Sequence, residues 1–185
     1  MRACMTFFVL LTYSAVVDDA SGQPQHSISG RVLDPADNPI QGVRVQAYRS
    51  NRSVGRPSTS DKDGKYSIEF TADGTIDTVR YDHSDYYLGA VDDISGRNNH
   101  SVYKTLYKRG QKLTYFQAQE VLSAFERIHE IDRSNKQVGE NLDLYKYRAA
   151  LEEIERLIAA LDAPPELRRE LMQKVAAIKQ KYGIQ

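Results

Sequence analysis

Polar and apolar residues alternate at period two in the first half of the chain and recur at helical spacing in the second half. Residues 27–33 (SISGRVL), 42–48 (GVRVQAY) and 66–70 (YSIEF) place small or apolar side chains at every second position. This alternation is typical of strands that bury one face, so it predicts three β-strands. Weaker runs predict further strands at residues 77–82, 88–91 and 101–107.

Turn-forming residues separate these runs. The segment 34–39 (DPADNP) combines Asp and Asn, whose side chains bond to nearby backbone, with prolines that fix φ. Residues 49–63 are mostly polar and are predicted to form a long loop. Gly64, which follows Asp61-Lys62-Asp63, supplies the positive φ that a hairpin turn needs. Because this stretch lacks the further oxygen ligands of a calcium loop, we interpret it as a turn.

After Gly110 the apolar residues change to a spacing of three and four. Thr114 and Gln117 stand three residues apart, the capping-box arrangement that satisfies the first free amides of a helix. Apolar side chains then recur along one face, with Asp132 in the same stripe. The pattern predicts an amphipathic helix over residues 114–134.

Two further helices are predicted nearer the C-terminus. Apolar residues follow a seven-residue repeat through 144–161, which predicts a helix with one continuous apolar stripe. Pro164 and Pro165 end this helix and begin a third, which Gly183 ends. Such a stripe packs inside one chain more often than between chains, so we expect an antiparallel three-helix unit and leave open a homo-oligomer through the helices.

The strand region carries a specific motif. It reads G-x-V-x-D, then P-I-x-G-V-x-V, and after a gap D-G-x-Y-x-I. The matching residues are Gly30, Val32, Asp34, Pro39, Ile40, Gly42, Val43, Val45, Thr59, Asp63, Gly64, Tyr66 and Ile68. The pattern resembles the carboxypeptidase regulatory-like domain of the prealbumin (transthyretin-like) fold, over about residues 26–109. The resemblance implies a Greek-key β-sandwich of about seven strands, and it implies little about function.

The predicted fold class is therefore α+β, with an N-terminal prealbumin-like sandwich and a C-terminal three-helix unit. We assign residues 1–22 to a signal peptide, 23–110 to the sandwich domain and 111–185 to the helical domain. The chain length of 185 residues suits one or two small domains.

The N-terminal segment has the pattern of an export signal. Arg2 precedes an apolar run over residues 5–17, which is too short to span a bilayer. Small residues near Gly22 favour cleavage after that residue, with cleavage after Ala20 as the alternative; a buried strand or an uncleaved anchor would be the other interpretations. Cys4, the only cysteine, lies inside this segment, so the mature chain would have no disulfide. We therefore predict a secreted or periplasmic protein.

Charge and composition narrow the class of partner. Lys and Arg number 25, as do Asp and Glu, so no basic surface for nucleic acid is expected. The sequence has 12 Tyr and no Trp, a composition that favours protein contacts over sugar stacking. Asn51 and Asn99 begin glycosylation sequons, which matter only if the host glycosylates.

The prealbumin fold also hosts enzymes, and their motifs fail here. Hydroxyisourate hydrolases need a His in the first strand, where this chain has Arg31, and a C-terminal Tyr-Arg-Gly-Ser, which is absent. Intradiol dioxygenases bind iron through two Tyr and two His; Tyr81, His83, Tyr86 and Tyr87 cluster, but the His-x-His pair is missing. We predict that the protein is not an enzyme and that it has no catalytic residues, no metal and no cofactor.

We interpret the chain as an exported, non-enzymatic interaction or assembly module that acts through protein contacts. The predicted partner-binding residues are Tyr81, Tyr86, Tyr87, Tyr103 and Tyr107. Tyr offers apolar area and a polar tip at low entropic cost. The alternative is a module that binds a glycan or small ligand through the sandwich loops, expected at residues 50–58 and 92–100.

Overall fold

The computed structural model describes residues 25–71, 76–92, 94, 100–135 and 144–184. Seven strands precede three helices, which confirms the predicted α+β class. The elements are β1 (Gln25–Leu33), β2 (Arg44–Arg49), β3 (Arg52–Thr59), β4 (Lys65–Thr71), β5 (Thr78–Asp82), β6 (Gly89–Asp92), β7 (His100–Thr105), α1 (Tyr115–Ser134), α2 (Leu144–Ala159) and α3 (Pro165–Tyr182). The predicted signal peptide, 1–22, lies outside the described residues.

The strands form two sheets, with the orders β4-β1-β7 and β3-β2-β5-β6. Strand β1 is antiparallel to β4 and parallel to β7, while every pair in the second sheet is antiparallel. Consecutive strands often lie in different sheets, so several connections cross from one sheet to the other. The sheets therefore enclose a single sandwich core between their facing sides.

Two predictions about the loops were wrong. Residues 49–63 are not one loop, because β3 pairs with β2 across a tight turn at Ser50 and Asn51. Both turn residues have positive φ, at 47° and 64°, a conformation that Asn tolerates better than most residues. Gly64 has the expected positive φ of 73°, but its turn links β3 to β4 across the two sheets and does not form a hairpin.

The predicted alternation places the core of the sandwich correctly. Ile28, Val32, Val43, Val45 and Ala47 are all fully buried. The remaining members of this core come from β4, β5 and the connections: Ile40, Tyr66, Ile68, Phe70, Ile76, Val79, Tyr81, Ile94 and Leu106. Burial of each large apolar side chain contributes roughly 1.5–3 kcal/mol.

Gly30 is required where β1 passes β7. A Cβ atom at this position would lie 1.8 Å from the carbonyl oxygen of Val102 and 2.8 Å from the hydroxyl of Tyr66. The space instead holds Tyr66, whose hydroxyl donates to Val102 O at 2.9 Å and lies 2.7 Å from the Tyr81 hydroxyl. The glycine of the motif thus makes room for a hydrogen-bonded tyrosine pair inside the sandwich.

The helices begin and end close to the predicted positions. Thr114 and Gln117 form the expected capping box at the start of α1, and Gly183 ends α3 with φ 66°. The apolar stripe of α2 packs within the chain, with Leu151 and Ile158 fully buried against the other helices. In the part of the chain that the structure describes, no helix is long and apolar enough to cross a membrane.

The helical unit also covers one side of the sandwich. Gln46, Tyr48, Thr78 and Arg80 point away from the sandwich core, yet each is at most 9% exposed. Helix α1 lies over this outer face of β2 and β5, and its residue Asp132 bonds to Arg80. Strands β2 and β5 of the second sheet are therefore buried on both faces, while β3 at its edge and the outer face of the first sheet stay largely accessible.

Candidate functional site

The structure does not bring the five predicted tyrosines onto one surface. Tyr103 is 64% exposed on β7, and Tyr86 is half-buried in the connection before β6. Tyr81, Tyr87 and Tyr107 are buried, at 0%, 5% and 9% exposure, so they offer almost no contact area to a partner. The predicted surface therefore reduces to Tyr103 and Tyr86, whose part in binding stays a prediction.

The buried tyrosines have structural partners. Tyr81 faces the sandwich core beside Tyr66, because the alternation of β5 turns it inward. Tyr107 donates to Glu120 Oε2 at 2.6 Å and so ties the end of β7 to α1; burial first, and then this hydrogen bond, raises the pKa of Tyr107. Tyr87 lies in the core of the helical unit, with the guanidinium of Arg109 5.6 Å from its ring centre.

Exposed Tyr103 belongs to a surface that we call the open face, the outer side of sheet β4-β1-β7. In its register Tyr103 pairs with Arg31, which in turn pairs with Lys65. The neighbouring row contains only serines, Ser67, Ser29 and Ser101. Among the side chains that the structure describes, those on this side are Ser27, Ser29, Arg31, Leu33, Lys65, Ser67, Glu69, Ser101, Tyr103 and Thr105.

Arg31 is held in place on the open face. Its Nε donates to the carbonyl oxygen of Asp63 at 3.1 Å, so the side chain lies across the turn before β4. In the strand register Tyr103 is the partner of Arg31 on the other side of β1. The open face therefore presents one aromatic ring and one oriented guanidinium, with Lys65, Glu69 and small hydroxyl groups around them.

The opposite sheet has a covered face, which carries a buried ionic network. Arg80 donates to Asp82 Oδ2 at 2.7 Å and to Asp132 Oδ1 at 2.6 Å, and Tyr147 of α2 donates to the other oxygen of Asp132. Burial acts to lower the pKa of Arg80, but the charges and hydrogen bonds of both carboxylates outweigh it and raise that pKa. Arg80 is thus a permanent cation that joins β5, α1 and α2.

A second set of polar contacts ties the middle and the C-terminal end of α1 to the sandwich. Arg127 donates to Thr78 Oγ1 at 2.6 Å and to Asn51 Oδ1 at 2.8 Å. Asn51 in turn donates through Nδ2 to Ser134 Oγ at 3.1 Å. The amide of this sequon residue is therefore used in the contact between the β2–β3 turn and α1; the sequon at Asn99 lies outside the described residues.

His129 is a buried polar residue of α1 with aromatic neighbours. It is 2% exposed, and neither ring nitrogen has a hydrogen-bond partner among the described residues. Its ring centre lies 4.4 Å from that of Tyr147 and 4.0 Å from that of Tyr182, which belong to α2 and α3. Burial, with a contribution from Arg133, lowers the pKa of His129.

The metal and loop alternatives gain no support from the geometry. Within the described ranges, no group of three or more His, Cys, Asp or Glu side chains is placed to hold a metal ion. His83 Nδ1 instead accepts from the amide of Asp85, and Asp61 Oδ1 accepts from the amides of Asp63 and Lys65. Of the two predicted ligand loops, 50–58 is mostly strand β3, and 92–100 falls largely outside the described residues.

The covered face and its network were not predicted from the sequence. Arg80 and Gln46 occupy polar positions of alternating strands, which alternation alone assigns to solvent. One signal was present, because Asp132 falls in the apolar stripe of α1. A carboxylate on the buried side of a helix needs a cationic or hydrogen-bonding partner, and here the partners are Arg80 and Tyr147.

The strands and helices together form a sandwich domain with an appended helical unit. The family model of the carboxypeptidase regulatory-like domain matches residues 27–100, which confirms the resemblance carried by the Gly30–Ile68 motif. The match covers most of the strand region and does not extend to the helical unit. No curated protein matches the chain.

Several solved structures are similar at low identity. The Streptococcal ancillary pilin is 14% identical with a TM-score of 0.32; the match covers 45% of this chain and 32% of the pilin. BcpA, the major pilin subunit of Bacillus cereus, is 12% identical with a TM-score of 0.34, covering 45% and 30% of the two chains. A chain of the type II cohesin-X-dockerin complex from Acetivibrio cellulolyticus is 15% identical with a TM-score of 0.37, covering 76% and 98%. The chain thus spans about a third of the pilins.

Proposed function

We propose that this protein is an exported, non-enzymatic interaction module that binds a protein partner through the open face. The periplasm or the extracellular space is its place of action. Its role is to hold a partner or to contribute to an assembly, and it needs no metal or cofactor for this. The interaction uses a preformed sheet surface, and the helical unit supports that sheet from the far side of the sandwich.

The observation that carries the proposal is the exposure of Tyr103 beside Arg31. Tyr103 is 64% exposed, although burial of a large aromatic side chain would stabilise the folded protein. Tyr and Arg are enriched at the centres of protein interfaces, where they account for much of the binding energy. Surrounding serines and threonines offer adaptable hydrogen bonds, a combination that binding surfaces of antibodies also use.

The sheet gives this surface rigidity. Arg31 and Tyr103 lie on paired strands, so their backbones are already ordered before a partner arrives. Binding therefore costs little backbone entropy, and a Tyr side chain loses only two rotatable angles. A partner with a flat surface and a carboxylate for Arg31 would suit the open face.

Export is supported by the sequence alone. The segment 1–22 has the charged start, apolar core and small residues of a signal peptide. The only cysteine, Cys4, lies inside it, so the remaining chain carries no thiol that an oxidising compartment would modify.

The test is partner capture with a matched pair of tyrosine variants. The chain from Gln23 onward is used as bait in the envelope and secreted fractions of its source organism, and captured proteins are identified by mass spectrometry. Tyr103→Ala is compared with Tyr145→Ala, which removes an 81% exposed ring from α2. We expect Tyr103→Ala to weaken capture of a specific partner roughly tenfold or more, as for an interface hot spot. Tyr145→Ala should retain it.

The same experiment can reject the proposal. Equal capture by both variants would remove the open face as the binding surface. Retention of the wild-type chain on a glycan array, without any captured protein, would favour the glycan-binding alternative. An iron or zinc content near one per chain in the purified protein would reopen the question of an enzyme.

A further inference from the structure

Two neighbouring cavities lie along α2. Their volumes are about 320 Å³ and 260 Å³, and Glu153 lines both, so together they form an elongated concave surface. The opposite wall comes from the segment that joins β7 to α1 and from the connection before β6, including Tyr87, Leu88 and Arg109. We call this feature the α2 groove; it lies away from the open face, so it needs its own explanation.

The floor of the α2 groove is apolar and made partly of small side chains. Ala149 and Ala150 on α2, and Ala160 directly after it, line this surface, where larger side chains would fill the space. Leu113 and Leu157 add apolar surface from the two walls. Concave apolar surfaces with a few polar groups at their margins are the usual form of binding sites.

The rim of the α2 groove is cationic. Arg109, Lys112, Lys146 and Arg156 line it; the carboxylates that also line the groove are Glu153 and Asp132, and Asp132 is paired with Arg80. The 25 basic and 25 acidic residues of the whole chain cancel, so this excess of positive charge is local. A local excess of one sign favours a ligand of the opposite sign.

Two of these cations have no carboxylate partner among the residues that the structure describes. Glu153 accepts from Arg109, and the Arg80–Asp132 pair deeper in the groove is complete in itself. Lys112 and Arg156 form no ion pair with any carboxylate of the described residues, and both are exposed. Glu152, which could pair with Arg156 one turn away, instead accepts from Arg148 at 3.2 Å.

The length of the groove suits an extended chain. From residue 146 to residue 159, α2 runs about 20 Å at 1.5 Å per residue. An extended peptide covers the same distance with about six residues at 3.3 Å each. Alternate residues of such a peptide point to opposite faces, so apolar side chains would enter the floor. The acidic side chains would start on the outward face and reach the cations of the rim by bending over the edges of the peptide.

We propose that the α2 groove binds an extended segment of a protein partner in which acidic and apolar residues alternate. The charge of the rim selects the acidic residues, and the alanine-lined floor admits the apolar ones. This surface is separate from the open face, so the protein has two points of contact for its partners.

Fluorescence anisotropy with two labelled hexapeptides tests the proposal. The probe alternates glutamate and leucine, and its control alternates lysine and leucine; both are titrated with the chain from Gln23 onward. We expect the acidic peptide to bind and the basic one not to bind. The double variant Lys112→Glu with Arg156→Glu should weaken binding roughly tenfold, because exposed ion pairs give way to repulsion. Added salt should also weaken it, since the rim is exposed.

A matched control separates local charge from total charge. Arg44→Glu with Lys62→Glu changes two exposed cations of the sandwich by the same amount and should leave the affinity unchanged. Ala160→Trp should reduce binding by filling the floor, while thermal unfolding shows that each variant is folded. Equal affinity for both peptides, or an affinity that survives the groove double variant, would overturn the proposal. The proposal would also be overturned if dodecanoate, an anionic amphiphile, displaced the labelled peptide at a lower concentration than the unlabelled peptide does.

Discussion

The outer faces of the two sheets are alike in sequence and opposite in environment. The strands of both sheets alternate polar with apolar residues. Even so, Tyr103 on the open face is 64% exposed, whereas Arg80 on the covered face is 9% exposed. The difference is that α1 lies over the second sheet and brings its own charged groups, Asp132 and Arg127. Alternation therefore shows which residues share a face, but it does not show whether water or another element meets that face.

The covered face also shows how a polar surface can be buried. A guanidinium removed from water loses several kcal/mol of hydration, which ion pairs and hydrogen bonds must offset. Arg80 has two carboxylate partners, and Asp132 accepts from Tyr147 as well. Such networks roughly balance their own desolvation, so they contribute orientation of α1 and α2 on the sheet more than net stability.

The largest effect should come from removing the centre of this network. Arg80→Ala would leave Asp82 and Asp132 as neighbouring anions without their shared cation. We expect the free energy of unfolding to fall by about 2–3 kcal/mol, below the range for fully buried pairs because both carboxylates keep some access to water. Urea unfolding followed by circular dichroism measures this change.

The matched control for Arg80 is Arg44. Arg44 also points outward, from the neighbouring antiparallel strand β2, but it is exposed beyond the cover of α1. Arg44→Ala should change the free energy of unfolding by no more than about 0.5 kcal/mol. If the two variants lose the same stability, the covered face does not depend on its ionic network.

A smaller effect should distinguish two tyrosines of α2. Tyr147 is 5% exposed and donates to Asp132, whereas Tyr145 is 81% exposed. Tyr147→Phe should lower the free energy of unfolding by about 1 kcal/mol, because a hydrogen bond to a charged acceptor is lost. Tyr145→Phe should be neutral in the same urea titration, and a cost for Tyr145→Phe equal to that for Tyr147→Phe would contradict the assigned contact.

Local patterns predicted the elements of this fold better than their arrangement. The capping box at Thr114 and the stop at Gly183 depend on neighbouring residues, so the sequence contained them. The motif around Gly30 identified the sandwich, because only glycine fits where β1 and β7 come so close. The turn at Ser50 and Asn51 was missed since neither residue is a glycine, although Asn can adopt positive φ.

The candidate site was harder to predict because it depends on contacts between distant segments. Arg80 and Asp132 are 52 residues apart, and no local spacing indicates that they meet. For the same reason the tyrosines could be counted but not placed: Tyr81 alternates inward, and Tyr107 is covered by α1 through Glu120. Tyr103 is the most exposed member of the predicted set. Its place on the outer side of the sheet follows from the strand register, which the sequence does not show.

The remaining prediction concerns the other side of the covering helix, where His129 lies between α2 and α3. Its neutral ring is buried with Tyr147 and Tyr182, and a proton would add a charge that no hydrogen-bond acceptor among the described residues receives. The charged groups around it are Glu130, Asp132 and Arg133 on α1 and Lys181 on α3. The two acids favour the protonated ring, but burial and the two cations outweigh them and hold the pKa of His129 below its ordinary 6.5.

This lowered pKa gives stability a definite dependence on pH. Well above pH 6.5 the ring is neutral in both states. As pH falls below that value, the unfolded chain binds a proton more readily than the folded one, so the free energy of unfolding decreases. The paired carboxylates Glu120 and Glu130 have pKa values below 4.5 and lose their contribution only in stronger acid. Between about pH 7 and about pH 5 the effect of His129 can therefore be measured separately.

His129→Phe keeps an aromatic ring between the two tyrosines and removes the titrating group. Urea unfolding of this variant should lose less stability than the wild type when pH is lowered from about 7 to about 5. We expect this to be the smallest of the three effects, because at neutral pH the ring carries no charge that the variant removes. Parallel decreases in the two proteins would mean that groups elsewhere cause the acid sensitivity. A smaller decrease in the wild type would mean that Glu130 and Asp132 stabilise the protonated ring despite its burial.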